Sequence, residues 1–579
     1  MRLHNLFSLM TAVSTTTTAF GHFPRRNYEE NDYYTLHLRR GEAPEAVAKA
    51  LELRYEGPLG NLPEHYTFYA KRGTHKVDGT LTQLKSKLRK RELIPRELEG
   101  VLWSSKSQVI PGRLEKRGPI PPPPAGYVAP IDPIFTPRDD IQVKQDEIAT
   151  KLGIRDPNFK EQWHLINTMQ PGHDINVTGV WLEGITGKNT TVAIIDDGLD
   201  MYSNDLKDNY YAEGSYDFND HNPEPRPRLD ADHHGTRCAG EIAAVKNDVC
   251  GVGVAYDAKV AGLRILSKSI SDEDEAVAIN YKYDKNLIYS CSWGPPDDGR
   301  AMDAPNTLIK RAMQNGIQNG RNGLGSIFVF AAGNGAASED NCNFDGYTNS
   351  IYSITVGAID RLGRHPYYSE KCSAALVVTY SSGAGDAIHT TDVGPANCYD
   401  KHGGTSAAAP LVAGIMALVL EIRPDLHWRD VQYLAIEAAV PINEAEDWQD
   451  TFIGKKYSHT YAYGKVDAYA LVQKAKDWKS VKPQAWYTSP WQYVRHDIPQ
   501  GSKGLASKYK VTPEMLKGAN VARLEHVQVT MNIDHTRRGD LSVDLISPKG
   551  MISHLSVTRR RDESTNGYDS WTFMSVVHW

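Results

Sequence analysis

The chain has 579 residues, enough for more than one domain, and a formal net charge of −6. The charge is unevenly placed: residues 24–117 carry 19 Lys/Arg against 13 Asp/Glu, while residues 118–579 sum to −13, which disfavours nucleic acid as a partner. The longest apolar run, 407–420, contains Pro410 and is too short to span a bilayer, so no transmembrane helix is expected.

In chain order, Arg2, the apolar LFSLMTAV and a threonine run read as a signal peptide over residues 1–21. A basic leader follows, of the sign that suits a segment occupying an acidic cleft. It ends at Lys116-Arg117. The next stretch, GPIPPPPAGYVAPIDP, is too rich in proline to be helical and leaves that basic pair extended and open to cleavage. Lys71-Arg72 and Lys90-Arg91 are candidate secondary cuts. TTVAIID is a β-branched strand ending on Asp196, and DDG turns the chain after it. HGTRCAGEIAAV reads as a helix beginning at His234. SIFVFAAGNG is a buried strand running into Asn334, and GTSAAAP puts Ser406 in the first turn of an apolar helix, where free backbone N–H groups face outward. VAIID, LIYSCS, SIFVFAA and SITVGAI lack alternation, as strands of a parallel sheet covered on both faces do. From about residue 482 the pattern changes to period two, in VQVTMNID and DLSVDLISPKGM, the signal of hairpins in a β-sandwich.

Three of these positions carry chemistry. A serine hydroxyl is a poor nucleophile until a base removes its proton. A histidine can do so near neutral pH, and a buried aspartate holds that imidazole in the right tautomer. The order Asp196, His234, Ser406 is that of the subtilisin-type triad, and the Asn334 amide is placed to donate to the developing oxyanion. Singly, each motif is more often a turn or a helix cap; the order and the strand-end and helix-start positions favour catalysis.

DDGLD, HGTRCAGEIAA, CGVGVAY, IYSCSWGPPDDGR, DNCNFDGYTNSIYSITVGAID, HGGTSAAAP, WRDVQYL and GKKYSH resemble the kexin family of fungal proprotein-processing proteases over roughly residues 150–579, and furin-type convertases slightly less. The resemblance implies a subtilisin-like, doubly wound α/β domain with a mainly parallel sheet over 118–480. A small α+β inhibitory pro-region over 22–117 would precede it and a β-sandwich P domain over 481–579 would follow. The family continues past FMSVVHW with further strands, so the sandwich is expected to be incomplete, with an unpaired edge. The family's membrane anchor is expected to be absent from this chain.

The resemblance also implies cleavage of secretory precursors after Lys-Arg or Arg-Arg, self-activation after Arg117, calcium as cofactor, and the secretory pathway, late Golgi, as location. A cationic side chain entering a pocket needs carboxylates there. By the family pattern Asp297 and Asp345 receive the arginine before the cut bond. Asp197, helped by Asp232, receives the preceding basic residue. Glu275, Asp303 and Tyr347 form a more distal pocket, and Ser292, Trp293 and Gly294 pair with substrate as an added strand. Ala231 stands where the family often has an acid. One calcium site is implied at Asp156, Asp205, Asn247 (or Asp248), Gly251 and the Val245 and Val249 carbonyls, and a second at Asp297, Asp340 and Glu370. A third is sketched at Asp217, Asn222 and Glu224. Cys250–Cys398 and Cys342–Cys372 are the implied disulfides, leaving Cys238 and Cys291 as free thiols. Cys238, four residues after His234 on one helical face, is expected beside the base and open to bulky thiol reagents. Asn176 and Asn189 are glycosylation sequons. Arg538-Gly539-Asp540 reads as turn chemistry. Two other functions compete: a broad-specificity secreted subtilase, and an inactive truncated fragment or decoy.

Overall fold

The computed structural model describes residues 23–73, 75–90, 96–117, 120–124, 126–127, 136, 138–443, 448–501 and 503–579. The expected signal peptide, Arg91 of the second basic pair and Gly118 lie outside them.

The N-terminal unit is an antiparallel sheet of β1 (Asn31–Leu38), β2 (Arg54–Pro58), β3 (His65–Lys71) and β4 (Val101–Lys106) in the order β2-β3-β1-β4. Helices Pro44–Ala50 and His75–Lys90 accompany it. It buries a core of its own, with Tyr34, Leu36, Leu38, Val47, Phe68 and Val101. A short strand, β5 (Glu115–Lys116), then leaves this unit.

The central domain is built on seven parallel strands: β6 (Thr191–Asp196), β7 (Tyr216–Asp217), β8 (Lys259–Arg264), β9 (Ile288–Cys291), β11 (Ile327–Ala331), β12 (Ser353–Ile359) and β13 (Val377–Tyr380). A two-residue strand, β10 (Trp293–Gly294), follows β9 outside this sheet. The order β13-β12-β11-β9-β6-β8-β7 leaves β6 and β9 adjacent at the centre, as in doubly wound sheets, where sites form beyond the strand carboxyl ends. Every residue of β9, β11, β12 and β13 is buried, which is why these strands read as continuous apolar runs. The Thr405–Ile422 helix packs on the same sheet and is buried from Thr405 to Leu420. It is long and apolar enough to cross a membrane, but its apolar residues are buried in this core.

Between Lys476 and Pro513 the described residues form no helix or strand. Two antiparallel pairs follow, Val527–Ile533 with Tyr568–Ser575 and Val543–Ile546 with Ile552–Ser556. Their cluster is closed by Phe344 of the central domain, while Val529, Met531, Ile533, Val543 and Leu545 are only partly buried. Trp579 is buried against Tyr433 and His526.

Candidate active site

The carboxyl end of β6 delivers Asp196, and the following helix, His234–Ala243, begins at the imidazole it holds. His234 Nδ1 lies 2.9 Å from both Asp196 oxygens, in a buried pair. Burial works against a charge on His234, but Asp196 and then Asp197 outweigh it and raise its pKa above the usual histidine value. Its Nε2 has no partner among the described residues, and Ser406 Oγ donates instead to the Ser292 carbonyl at 3.3 Å. Gly404, at φ 76°, turns the chain into the helix that carries Ser406.

Asn334 lies just beyond β11. Its Oδ1 accepts from Thr405 N at 2.8 Å and Thr405 Oγ1 at 2.9 Å, which aims Nδ2 the other way. That amide donates to the carbonyl oxygen of Arg117. A Cβ on Gly404 would stand 2.7 Å from the same oxygen, so only glycine admits the chain there.

The residues around Arg117 lie in the cleft as an added strand: β5 pairs antiparallel with β10, and Arg117 N donates to Ser292 O at 3.0 Å. Arg117 is buried, with Nη2 2.6 Å from Asp345 and Nε 3.5 Å from Asp297, and it also donates to the Ala331 carbonyl. Burial opposes its charge; Asp297, Asp345 and Glu370 outweigh that and raise its pKa. Lys116 Nζ lies 2.8 Å from Asp197 and 2.9 Å from the Ala231 carbonyl. Burial opposes the Lys116 charge, and Asp197, Asp196 and Asp232 outweigh it and raise its pKa, although among the described residues Asp232 makes no direct bond to Lys116. Asp232 accepts from Arg264 at 3.0 Å and from two backbone N–H groups, so it supports the pocket from behind. Arg113 pairs with Glu275, donates to Tyr347 Oη at 3.1 Å and lies 3.9 Å from Asp303. In an extended strand residues 113, 115 and 117 face one way, and the R-x-x-K-R spacing could have revealed Arg113. Thr405 as the orienter of Asn334 had no sequence signal.

Two carboxylate clusters fit a divalent cation. Asp156 and Asp205 are buried, Asp156 Oδ2 has no partner among the described residues, and burial lifts the two carboxyls to about 6 and about 7. Asn247 lies between them, its N and Nδ2 donating to Asp156 at 3.0 Å and Asp205 at 3.1 Å while its Oδ1 accepts from Val249 N at 2.6 Å; Asp248 is exposed. Gly251 packs against Gln162. Beneath Arg117, Asp297, Asp340 and Glu370 line a cavity of about 10 Å³, room for one small particle. Burial, then Asp297 and Asp340, push Glu370 far up, and burial lifts Asp340 to about 6. A Cβ on Gly333 would stand 2.3 Å from Glu370, so the Gly-Asn-Gly motif lets this cluster close over the strand end. The sketched third site is occupied by guanidinium groups: Asp217 accepts from Arg228 and Arg264 at 3.0 Å, and Asn222 from Arg228 at 2.9 Å.

Cys250–Cys398 and Cys342–Cys372 are bonded, with Cα separations of 5.4 and 5.6 Å, and Cys238 and Cys291 are free. Cys238, His234 and His402 present ligand atoms within 4.8 Å of one another. The placement beside the base matches expectation. The expected ready access does not: burial, then Asp196 and Glu241, hold the buried thiol far above its usual range, away from the reactive thiolate. Asn176 and Asn189 are exposed. Arg538 of the RGD turn is buried and bonded to Asp562 at 2.7 Å and the Arg300 carbonyl at 2.8 Å, so it faces no partner outside.

Seven parallel strands with an aspartate, a histidine and a serine gathered at their carboxyl ends define a subtilisin-like serine hydrolase fold. Residues 187–467 match the Subtilase family and residues 524–579 the proprotein convertase P-domain. The chain is 46% identical to a kexin of Candida albicans over 99% of its length and 64% of that protein's. It is 47% identical to a kexin of Saccharomyces cerevisiae over 96% and 66%, and 44% identical to a dibasic-processing endoprotease of Schizosaccharomyces pombe over 95% and 74%. The chain belongs to the kexin-like branch of the subtilase family and spans about two thirds of the length of these relatives. A serine protease of Aeromonas sobria shares the fold, with a TM-score of 0.63 at 22% identity over 73% of this chain and 86% of that one.

Proposed function

We infer that this chain is a serine endoprotease that cuts secretory precursors after paired basic residues and first cuts itself after Arg117. One observation carries the reading: Lys116 and Arg117 lie in separate carboxylate pockets while the Arg117 carbonyl accepts from the Asn334 amide, in the polypeptide that also holds Asp196, His234 and Ser406. The serine rotates toward His234 Nε2, gives up its proton and attacks the Arg117 carbonyl carbon. Asn334 stabilises the oxyanion, and the imidazolium, held by Asp196, returns the proton to the departing amine. Water then hydrolyses the acyl-enzyme. A secreted subtilase of broad specificity has no need of buried carboxylates at both positions, because each costs free energy without a cation.

Asp156, Asp205 and Asn247 would hold one calcium ion, and Asp297, Asp340 and Glu370 another. The ion supplies positive charge that lets these buried acids ionise together. The two disulfides suit an oxidising compartment, and we assign the protein to the secretory pathway, with late Golgi as the site of action. The domain division follows: residues 22–117 as inhibitory pro-region, 118–480 as catalytic domain and 481–579 as P domain.

The test is the N-terminus of the secreted product, determined by mass spectrometry for the parent and for Ser406→Ala. A start at Gly118 in the parent alone supports the reading. The same uncut product from both overturns it.

A further inference from the structure

The pro-region touches the catalytic domain at a second place, outside the cleft that holds residues 113–117. Phe23 inserts among Tyr216, Phe218 and Tyr281, with ring centroids 5.2, 5.9 and 6.1 Å away. These three aromatic side chains are buried and also pack on one another at 4.9–5.9 Å. Three residues later Arg26, its side chain 5% exposed, crosses the boundary between the two units. It lies 2.9 Å from Glu56 of its own unit, 3.1 Å from Asp274 and 3.4 Å from Glu273 of the other. Thr35 Oγ1 donates to Glu273 at 2.6 Å, and Ser107 Oγ and Gln108 N donate to Asp272 at 3.0 and 2.9 Å. Burial works against the Arg26 charge, and Glu273, Asp274 and Glu56 outweigh it.

We propose that Tyr216, Phe218 and Tyr281 with Glu273 and Asp274 form an exosite for the pro-region's own N-terminal arm, read as an aromatic residue and an arginine three positions apart. This rests on the proposed self-cleavage at Arg117. After that cut the strand at 113–117 is no longer covalently tied to the catalytic domain, and the arm retains the pro-region as a bound inhibitor. The recognition is of two kinds. The aromatic cage takes a ring that would otherwise face water. The two carboxylates take a guanidinium whose remaining charge is matched by Glu56, so the arginine is desolvated only when both units are present. Among the described residues the side chains of this surface make no bond to Ser406, His234, Asp197, Asp297 or Asp345, so it sets the lifetime of the inhibited complex without setting the rate of peptide hydrolysis.

The experiment uses the full chain. Parent, Phe23→Ala and Arg26→Met are secreted and allowed to self-cleave, and release of the cut pro-region after dilution is followed by native mass spectrometry and by recovery of Lys-Arg peptide hydrolysis. Both variants are expected to cut at the parental rate and reach the parental final activity. Release should be about tenfold faster for Phe23→Ala and about 30-fold or more for Arg26→Met, since loss of one partner of a buried ion pair acts on the dissociation rate. Asp274→Asn tests the same contact from the catalytic side with an unaltered pro-region, should the pro-region variants fail to be secreted. It too is expected to speed release. Release at the parental rate in Arg26→Met, or in Asp274→Asn where that variant alone is secreted, overturns the exosite. If the parent itself stays uncut, the protease reading fails. The exosite is then judged on the intact chain by amide exchange of β1, which should lose protection in Arg26→Met; unchanged protection would reject it.

Discussion

Replacing Asn334 tests the chemistry most directly. Its Nδ2 donates to the Arg117 carbonyl oxygen, and its Oδ1 accepts from Thr405 N at 2.8 Å and Thr405 Oγ1 at 2.9 Å. Loss of one oxyanion donor costs about 2.7–4 kcal/mol of transition-state stabilisation, or roughly 10²–10³ in rate. Asn334→Ala also strands two buried Thr405 donors, a stability cost of about 1–3 kcal/mol each if no water replaces the amide. Asn334→Asp separates the two effects: the carboxylate still accepts from Thr405, but it offers no donor and repels the oxyanion. The assay is the rate of self-cleavage after Arg117, followed by intact mass. That is a single intramolecular turnover, so substrate binding does not enter. Both variants should slow by at least roughly 10², with the melting temperature kept in Asn334→Asp and lowered in Asn334→Ala. Self-cleavage of Asn334→Asp at a rate within about fivefold of the parent would refute the role, because no 10²-fold contribution could then reside in that amide.

Asp345→Asn removes the carboxylate 2.6 Å from Arg117 and leaves Asp297 at 3.5 Å; kcat/KM for Lys-Arg peptides should fall by about 30-fold or more, as expected of a desolvated charge pair. An unchanged ratio of Lys-Arg to Lys-Ala cleavage would count against the pocket. Excess chelator should lower both the melting temperature and peptide hydrolysis, since Asp297, Asp340 and Glu370 face one another about a 10 Å³ space, with Arg117 opposing the Glu370 shift and Arg559 the Asp340 shift. If neither quantity moves, the calcium assignment fails. Arg559→Met strips a fully buried guanidinium from Asp340 and Asp562; such a loss costs about 3–5 kcal/mol and should lower the melting temperature by about 5–10 °C in calorimetry. Acid should loosen the pro-region. Arg311 lies 3.0 Å from His37 Nδ1 and from His65 Nε2, burial draws His65 down to about 4, and burial and Arg311 lower His37, with Glu64 opposing. The neutral rings are what dock, so docking is complete above about pH 6.5 and weakens by up to about tenfold per unit for His65 as pH falls toward 4. Release measured from pH 7.5 to 5 checks this, and a profile unaltered by His65→Gln would refute it.

Much of this protein was legible in one dimension. The strands VAIID, SIFVFAA and SITVGAI are apolar on both faces because both faces are covered, so their run length could be read directly, as could the approach of the first two to Asp196 and Asn334. The triad order and the basic pair before the proline-rich stretch lie in local motifs, whereas the disulfide pairs, 148 and 30 residues apart, follow from the family resemblance alone. What could not be read is whatever depends on residues far apart in the chain. Asp217 and Asn222 look like cation ligands in sequence, and only the fold brings Arg228 and Arg264 onto them. Cys238 sits beside His234 by helical spacing, yet burial and the fields of Asp196 and Glu241 hold its thiol far above the usual range. Asp232 reads as a specificity acid, and only the fold shows that it acts on Lys116 through its field while bonded to Arg264. The same holds for Phe23 and Arg26, which are unremarkable in an N-terminal stretch and gain a meaning only opposite Tyr281 and Asp274. Helix and strand periodicities are local and survive in a string, whereas desolvation and charge pairing act through space, and space is allotted by the tertiary fold alone.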